Sequence, residues 1–205
     1  MKHKLIIFDM DGTLVDSSLS IANAINYVRK NLGFQPMEHG HIIRHINDPA
    51  INPSQFFYYA KVFDKQHEKW FSEYYTNNHQ KELVLYEGID TLLKKLKNRG
   101  HKLAIATNAY RNSTIESLTH LKIYDYFDAI ACYDDVLQGK PHPDMLFKIL
   151  REVRLDPRET LFIGDGPRDE MASQKAGIDY RMVSWGFTKH HNAIKSVHEL
   201  EALLF

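Results

Sequence analysis

Leu5-Ile6-Ile7-Phe8 is an unbroken apolar run that stops at Asp9-Met10-Asp11-Gly12-Thr13, and the same grammar recurs down the chain. Residues 102–106 form an apolar run ending in Thr107-Asn108, and residues 160–164 form another ending in Asp165, with Asp169-Glu170 just beyond. Short apolar runs bounded by polar and turn residues predict buried strands. Helical faces alternate with them. Ile21, Ile25, Val28 and Leu32 recur at steps of four, three and four, one face of an amphipathic helix closed by Gly33. Ile89, Leu92, Leu93 and Leu96 form another, ended by Gly100. Further helices are predicted over about 113–121, 144–153 and 169–176, the last stopped by Gly177, with strands over 129–132 and near 180–183 and a terminal helix. This alternation predicts an α/β protein with a parallel sheet and helices on both faces.

The segment between the first strand and about residue 82 breaks that rhythm. Residues 34–52 carry His39, His41, His45 and two prolines with little periodicity, and read as loop or short helices. Phe56, Ala60, Phe63, His67, Trp70 and Tyr74 then keep helical spacing, widened by Phe71 and Tyr75. Such an aromatic stripe reads as the core of a small helical bundle in preference to a ligand box. The three histidines lack the helical Glu of a metalloprotease site and read as solvent-facing, as do His190 and His191. No internal repeat or low-complexity tract is present.

Candidate chemistry lies at the strand ends. A buried strand has no packing reason to end in two carboxylates one residue apart, because ionised carboxylates are costly to remove from water without a cation or donors. Asp9 and Asp11 therefore point to a metal-assisted phosphoryl site, the alternative being a strand followed by an ordinary Asp-Gly turn. Ligands collect where the strand ends of open α/β sheets face a common crevice. The ends here, with the Gly139-Lys140-Pro141 loop, supply Asp9, Asp11, Asp165, Thr107, Lys140 and the further acidic pair Asp169-Glu170. Lys140 alone would read as a surface lysine, and its place in the set promotes it. Arg111, near the second of these ends, reads either as a substrate contact or as a solvated loop arginine.

Composition narrows the partners. Lys plus Arg equals Asp plus Glu at 26 each in 205 residues, so no basic excess points to nucleic acid, and a small-molecule partner is expected. The single Cys132 excludes an intramolecular disulfide and a cysteine-rich zinc site, and reads as an inert core residue in a reducing compartment. The positive start Met1-Lys2-His3-Lys4 is followed by only four apolar residues, short of a secretory signal, and no stretch approaches the ~18 apolar residues of a membrane span. The chain reads as soluble and cytoplasmic.

The motifs DMDGTLVDS at 9–17, Thr107 after a strand, Lys140 in GKPHPD, and GDGPRDE at 164–170 followed by Ala176-Gly177 occur in one order along the chain. In that order they resemble the haloacid dehalogenase superfamily of phosphatases and phosphotransferases, in its phosphoglycolate phosphatase and β-phosphoglucomutase-like branch. The resemblance covers the core well and about 18–81 poorly. It implies a Rossmann-like core of residues 1–16 and 82–205 with an all-helical cap, 17–81, inserted after the first strand. It also implies that Asp9 is a nucleophile forming an aspartyl-phosphate, and that Asp11 protonates the leaving oxygen and then activates water.

Under the same resemblance Thr107, the backbone N–H of Asn108 and Lys140 bind phosphoryl oxygens, and Mg²⁺ is held by Asp9, Asp165 and the carbonyl of Asp11. Asp169 is expected either outside the metal shell, on a metal-bound water, or as a helix N-terminal carboxylate, and Glu170 as solvated helix surface. The implied activity is Mg²⁺-dependent hydrolysis of a small phosphorylated metabolite. A phosphomutase and a non-catalytic phosphoryl-binding protein are the alternatives, and a dehalogenase is disfavoured because that branch lacks the second aspartate. Where the family often has a hydroxyl residue after the Gly-Asp pair, this chain has Gly166-Pro167.

Overall fold

In a computed structural model, residues 3–46, 48–187 and 190–205 are described, so Met1 and Lys2 of the positive start lie outside the described residues. Five parallel strands make the central sheet: β1 (Leu5–Phe8), β4 (Lys102–Ala106), β5 (Ala129–Ala131), β6 (Thr160–Gly164) and β7 (Asp179–Met182), in the order β5-β4-β1-β6-β7. Leu5 lies level with Lys102 on one side and Thr160 on the other, so the three central strands run in step to their carboxyl ends. The chain fills one side of β1 with β4 and β5, then crosses to place β6 and β7 on the other. That reversal beside β1 opens the crevice where an α/β sheet binds its ligands.

Side chains alternate between the two faces, as the strand period requires. Ile6, Phe8, Leu103, Ile105, Leu161 and Ile163 pack under α5 (Ile89–Asn98), α6 (Arg111–His120) and α9 (Val197–Leu204). Leu5, Ile7, Ala104, Ala106 and Phe162 pack under α7 (Asp144–Val153) and α8 (Pro167–Ala176). Both faces are therefore covered, which is why the strands read as continuous apolar runs. The architecture is a Rossmann-like α/β fold. Among the described residues, no helix is long and apolar enough to cross a membrane.

The insertion forms α1 (Ser18–Asn31), α2 (His39–Ile46), α3 (Pro53–Tyr58) and α4 (Lys65–Glu82), packed around Ala22, Ile25, Val28, Ile42, Phe57 and Tyr58. Phe56, Ala60, Phe63, Trp70 and Phe71 of the aromatic stripe pack against this small core, Tyr75 is buried in the core beneath the sheet, and the stripe is not one continuous helix. Tyr59 takes a left-handed φ of 55° and ends α3, and the Asp64 side chain accepts from the N–H groups of Gln66 and His67 to start α4. The segment leaves and returns through β2 (Val15–Asp16) and β3 (Val84–Leu85), an antiparallel ribbon pairing Val15 with Leu85 and Asp16 with Val84. Two-residue strands carry no readable period, and the ribbon was not expected. His41 and His45 also depart from a solvent-facing reading: both are half-buried and stack on Phe56 at 5.5 and 4.9 Å. His39 and His191 are exposed and His190 is half-buried.

Candidate active site

Asp9 continues β1 by one residue, its N–H donating to the Ile163 carbonyl at 2.9 Å, and this carries its carboxylate into the crevice. Asp165 follows β6 and is completely buried; its Oδ2 accepts from the Phe187 N–H at 3.0 Å. Asp169 stands in the first turn of α8, where its Oδ2 accepts from the Gly166 N–H at 3.3 Å. Oxygens of these three carboxylates lie within 4.8 Å of one another. Into this group comes the Lys140 ammonium, 2.5 Å from Asp9 Oδ1 and 2.6 Å from Asp169 Oδ1.

The approach of the loops demands glycine. A Cβ on Gly12, whose φ is +84°, would lie 2.4 Å from Asp165 Oδ2, and one on Gly186 would lie 1.8 Å from the Gly12 carbonyl oxygen. Trp185 fixes the same corner by donating from Nε1 to the Thr13 carbonyl at 3.0 Å. The 185–187 loop thus closes one side of the site and supplies the N–H that holds Asp165.

Burial and the crowding of three carboxylates set how the acids hold their protons. Burial pushes Asp9 up to about 7 despite the opposing pull of Lys140, with Asp169 adding to the rise. Burial, then the charges of Asp9 and Asp169, push Asp165 well above the carboxylate range. Burial also raises Asp11, against a 2.5 Å hydrogen bond donated by Ser17 Oγ and the charge of Lys140. For Lys140 burial pulls downward, but Asp169 and Asp9 outweigh it and hold the ammonium above its ordinary value. A cluster of carboxylate oxygens of this kind fits a hard divalent cation, which would lower the carboxyl groups again.

The structure brings Asp9, Asp165, Asp169 and Lys140 into direct contact range. The carboxylate of Asp11 is turned to Ser17 and does not join the three-carboxylate cluster, though it acts electrostatically on Asp9. Thr107 is buried at the end of β4, where its Oγ1 accepts from the Ala109 N–H at 3.0 Å and keeps its own proton to donate. Asn108 turns its side chain to the loop of Lys140. Its Oδ1 accepts from the Lys140 N–H at 2.9 Å and its Nδ2 donates to the Lys140 carbonyl at 3.0 Å, so the amide clamps the lysine backbone. Arg111 pairs with Asp135 and donates to the Ile130 carbonyl, a structural role. Glu170 is half-buried. Trp185, Phe187 and Arg168 were not singled out from sequence, because each acts through a partner distant in the chain or through its backbone, and Ser17, which ends the DMDGTLVDS run, was not singled out for its contact with Asp11.

The sequence profile of the haloacid dehalogenase-like hydrolases matches residues 6–183. The chain is 29% identical over 188 residues to the pyrophosphatase PpaX of Bacillus cereus, covering 90% of this chain and 85% of that protein. A haloacid dehalogenase-like family hydrolase from Streptococcus pneumoniae superposes with a TM-score of 0.84 at 27% identity, covering 99% of this chain and 98% of the other. A predicted phosphoglycolate phosphatase from Haemophilus somnus gives 0.78 at 26% identity, covering 97% and 92%. With the profile spanning most of the chain and the acidic crevice at the ends of β1 and β6, the protein belongs to the haloacid dehalogenase-like hydrolases.

Proposed function

We propose that this hydrolase is a Mg²⁺-dependent phosphatase that cleaves a small phosphorylated metabolite through an aspartyl-phosphate on Asp9, with residues 17–81 acting as a cap over the core of 1–16 and 82–205. The observation that carries the reading is the buried Lys140 ammonium bridging Asp9 and Asp169 beside Asp165. A nucleophile, a cation and metal-ligating oxygens share one small volume at the sheet's switch point. The likeness to proteins named pyrophosphatase and phosphoglycolate phosphatase supports a phosphate ester or anhydride as substrate.

The chemistry follows from charge. An anionic carboxylate attacking an anionic phosphoryl group at ~4 Å meets a repulsion of about 4 kcal/mol per charge pair at an effective dielectric of ~20. Lys140 offsets part of this. Mg²⁺ held by Asp9, Asp165 and the Asp11 carbonyl, with Asp169 alongside, would neutralise the remaining carboxylate charge and polarise the phosphoryl oxygens. Asp9 Oδ attacks phosphorus while the leaving oxygen takes a proton from Asp11, whose burial raises its pKa and so favours the protonated acid. The resulting Asp11 carboxylate then draws a proton from water, which attacks phosphorus and frees Asp9. Thr107 and the backbone at Asn108 donate to the phosphoryl oxygens, and the Asn108 side chain keeps Lys140 in place.

The test is a panel of phosphorylated sugars, phosphoglycolate, pyrophosphate, nucleotides and a generic aryl phosphate, assayed with Mg²⁺ for free phosphate and for isomerised product. Free phosphate that disappears on chelation is the expected outcome. Isomerised product without phosphate would assign a mutase, and tight ligand binding without turnover would assign a binding protein.

A further inference from the structure

Arg168 is the second residue of α8, one before Asp169, and its side chain reaches the inserted segment. Its Nη2 donates to the Asp48 carbonyl at 2.9 Å, with the Ile51 carbonyl at 3.4 Å, across 120 residues of sequence. The side chain is half-buried, and its Nε is buried with no hydrogen-bond partner among the described residues. A solvated surface arginine would have neither feature, because an arginine placed only for solubility keeps its donors in water. The receiving turn is itself tied. Asp48 Oδ1 accepts from the Ala50 N–H at 2.9 Å, the Ile51 N–H reaches the Asp48 carbonyl at 3.3 Å, and Asn52 caps α3 through the Gln55 N–H at 3.2 Å. A preformed turn thus presents two carbonyls to one guanidinium from the catalytic core.

We infer that Arg168 is a positioning residue that fastens the 48–51 turn of the insertion to the first turn of α8, beside Asp169. This goes beyond the phosphatase reading in naming a physical tether between the substrate-facing helices and the residue next to the acidic cluster. Only the kinetic part of its test rests on that reading. A guanidinium suits the task because its donors lie in a fixed plane and can serve two carbonyls at once, whereas a lysine ammonium offers a point charge on a flexible stem. The bonds join two parts of the chain without touching the reacting groups. Losing them weakens closure in the ground and transition states alike, which raises KM more than it lowers kcat.

Hydrogen–deuterium exchange of the substrate-free protein tests the tether, reading peptides over 48–58 for the native chain, Arg168→Ala, Arg168→Lys and Arg168→Gln. The amides of Ala50, Ile51 and Gln55 are the reporters. Arg168→Ala is expected to speed their exchange at least tenfold with α5 peptides unchanged, Arg168→Lys to restore part of the protection, and Arg168→Gln to fall between. With a phosphate ester, KM is expected to rise at least fivefold and kcat to change less than twofold. Unchanged exchange in Arg168→Ala, or in Arg168→Gln should the alanine variant fail to fold, overturns the tether, as does a fall in kcat at constant KM. The two readings fail separately. Loosened exchange in a chain that cleaves no ester sinks only the phosphatase reading, and unchanged exchange in a chain whose turnover depends on Asp9 sinks only the tether.

Discussion

Replacing Asp9 by Asn should abolish turnover and, with chelator present, make the protein more stable at alkaline pH. Burial lifts the Asp9 carboxyl from an ordinary 3.8 to about 7 in the folded chain. The folded state therefore binds this proton more tightly than the unfolded chain does, and stability falls as pH rises from about 4 to about 7. Above that window the whole cost of the ionised group is present, roughly 4 kcal/mol for a displacement of this size. Asn cannot ionise, keeps an oxygen to accept from Lys140, and gives up only a long 3.4 Å bond from Thr13. The two proteins should match within about 1 kcal/mol at pH 4, with Asn ahead by roughly 1.5 kcal/mol at pH 5 and by up to roughly 4 kcal/mol at pH 8, each kcal/mol moving Tm by about 2–4 °C at this length. Urea unfolding followed by circular dichroism at pH 5, 6, 7 and 8 measures the divergence directly. Added Mg²⁺ should narrow it, by stabilising the native chain more than the variant. A stability gap independent of pH, or an Asn variant weaker at pH 8, would refute the reasoning.

Other substitutions probe the same site from different sides. Lys140→Met removes the ammonium shared by Asp9 and Asp169, and breaking a buried ion pair from one side costs roughly 3–5 kcal/mol. Because the same ammonium lowers Asp9 and Asp11, the loss should be greatest above pH 7 and shrink as the acids take up protons, which thermal melts at pH 5.5 and 8 would show. Gly186→Ala drives a Cβ to 1.8 Å from the Gly12 carbonyl oxygen, a backbone collision that no rotamer relieves. It should cost at least roughly 1–3 kcal/mol and impair phosphate release by displacing the Phe187 N–H from Asp165, read by urea unfolding beside activity.

The sheet was legible in the sequence because strands covered on both faces must be apolar throughout, and Leu5 to Phe8 followed by Asp9 announces both a strand and its polar end. The same logic located Asp165 after β6, whereas Lys140 became legible only through its place in the motif set. What stayed hidden depends on contacts between distant residues. Nothing local to Trp185 or Phe187 tells that their loop returns over Gly12 to hold Asp165. Asn108 was read through its backbone, whereas its side chain clamps Lys140. Arg168 looks like helix surface until the 48–51 turn is placed beside it. The aromatic stripe kept a helical period across a break because α3 and the first half of α4 both pack aromatics against one cluster. The signals for that break were local: Asn52-Pro53 and Asp64 are both helix starts, and their side chains accept the first N–H groups of α3 and α4.

The central claim is that Asp9 attacks phosphorus while Lys140 and the neighbouring acids hold the charges in balance. Acid quenching during turnover of a hydrolysed ester, followed by peptide mass spectrometry, tests it most directly. The account predicts a phosphoryl group on the peptide containing Asp9, labile to hydroxylamine and missing in Asp9→Asn. Steady phosphate release with no phosphorylated peptide, or with the phosphoryl group on another residue, would contradict it.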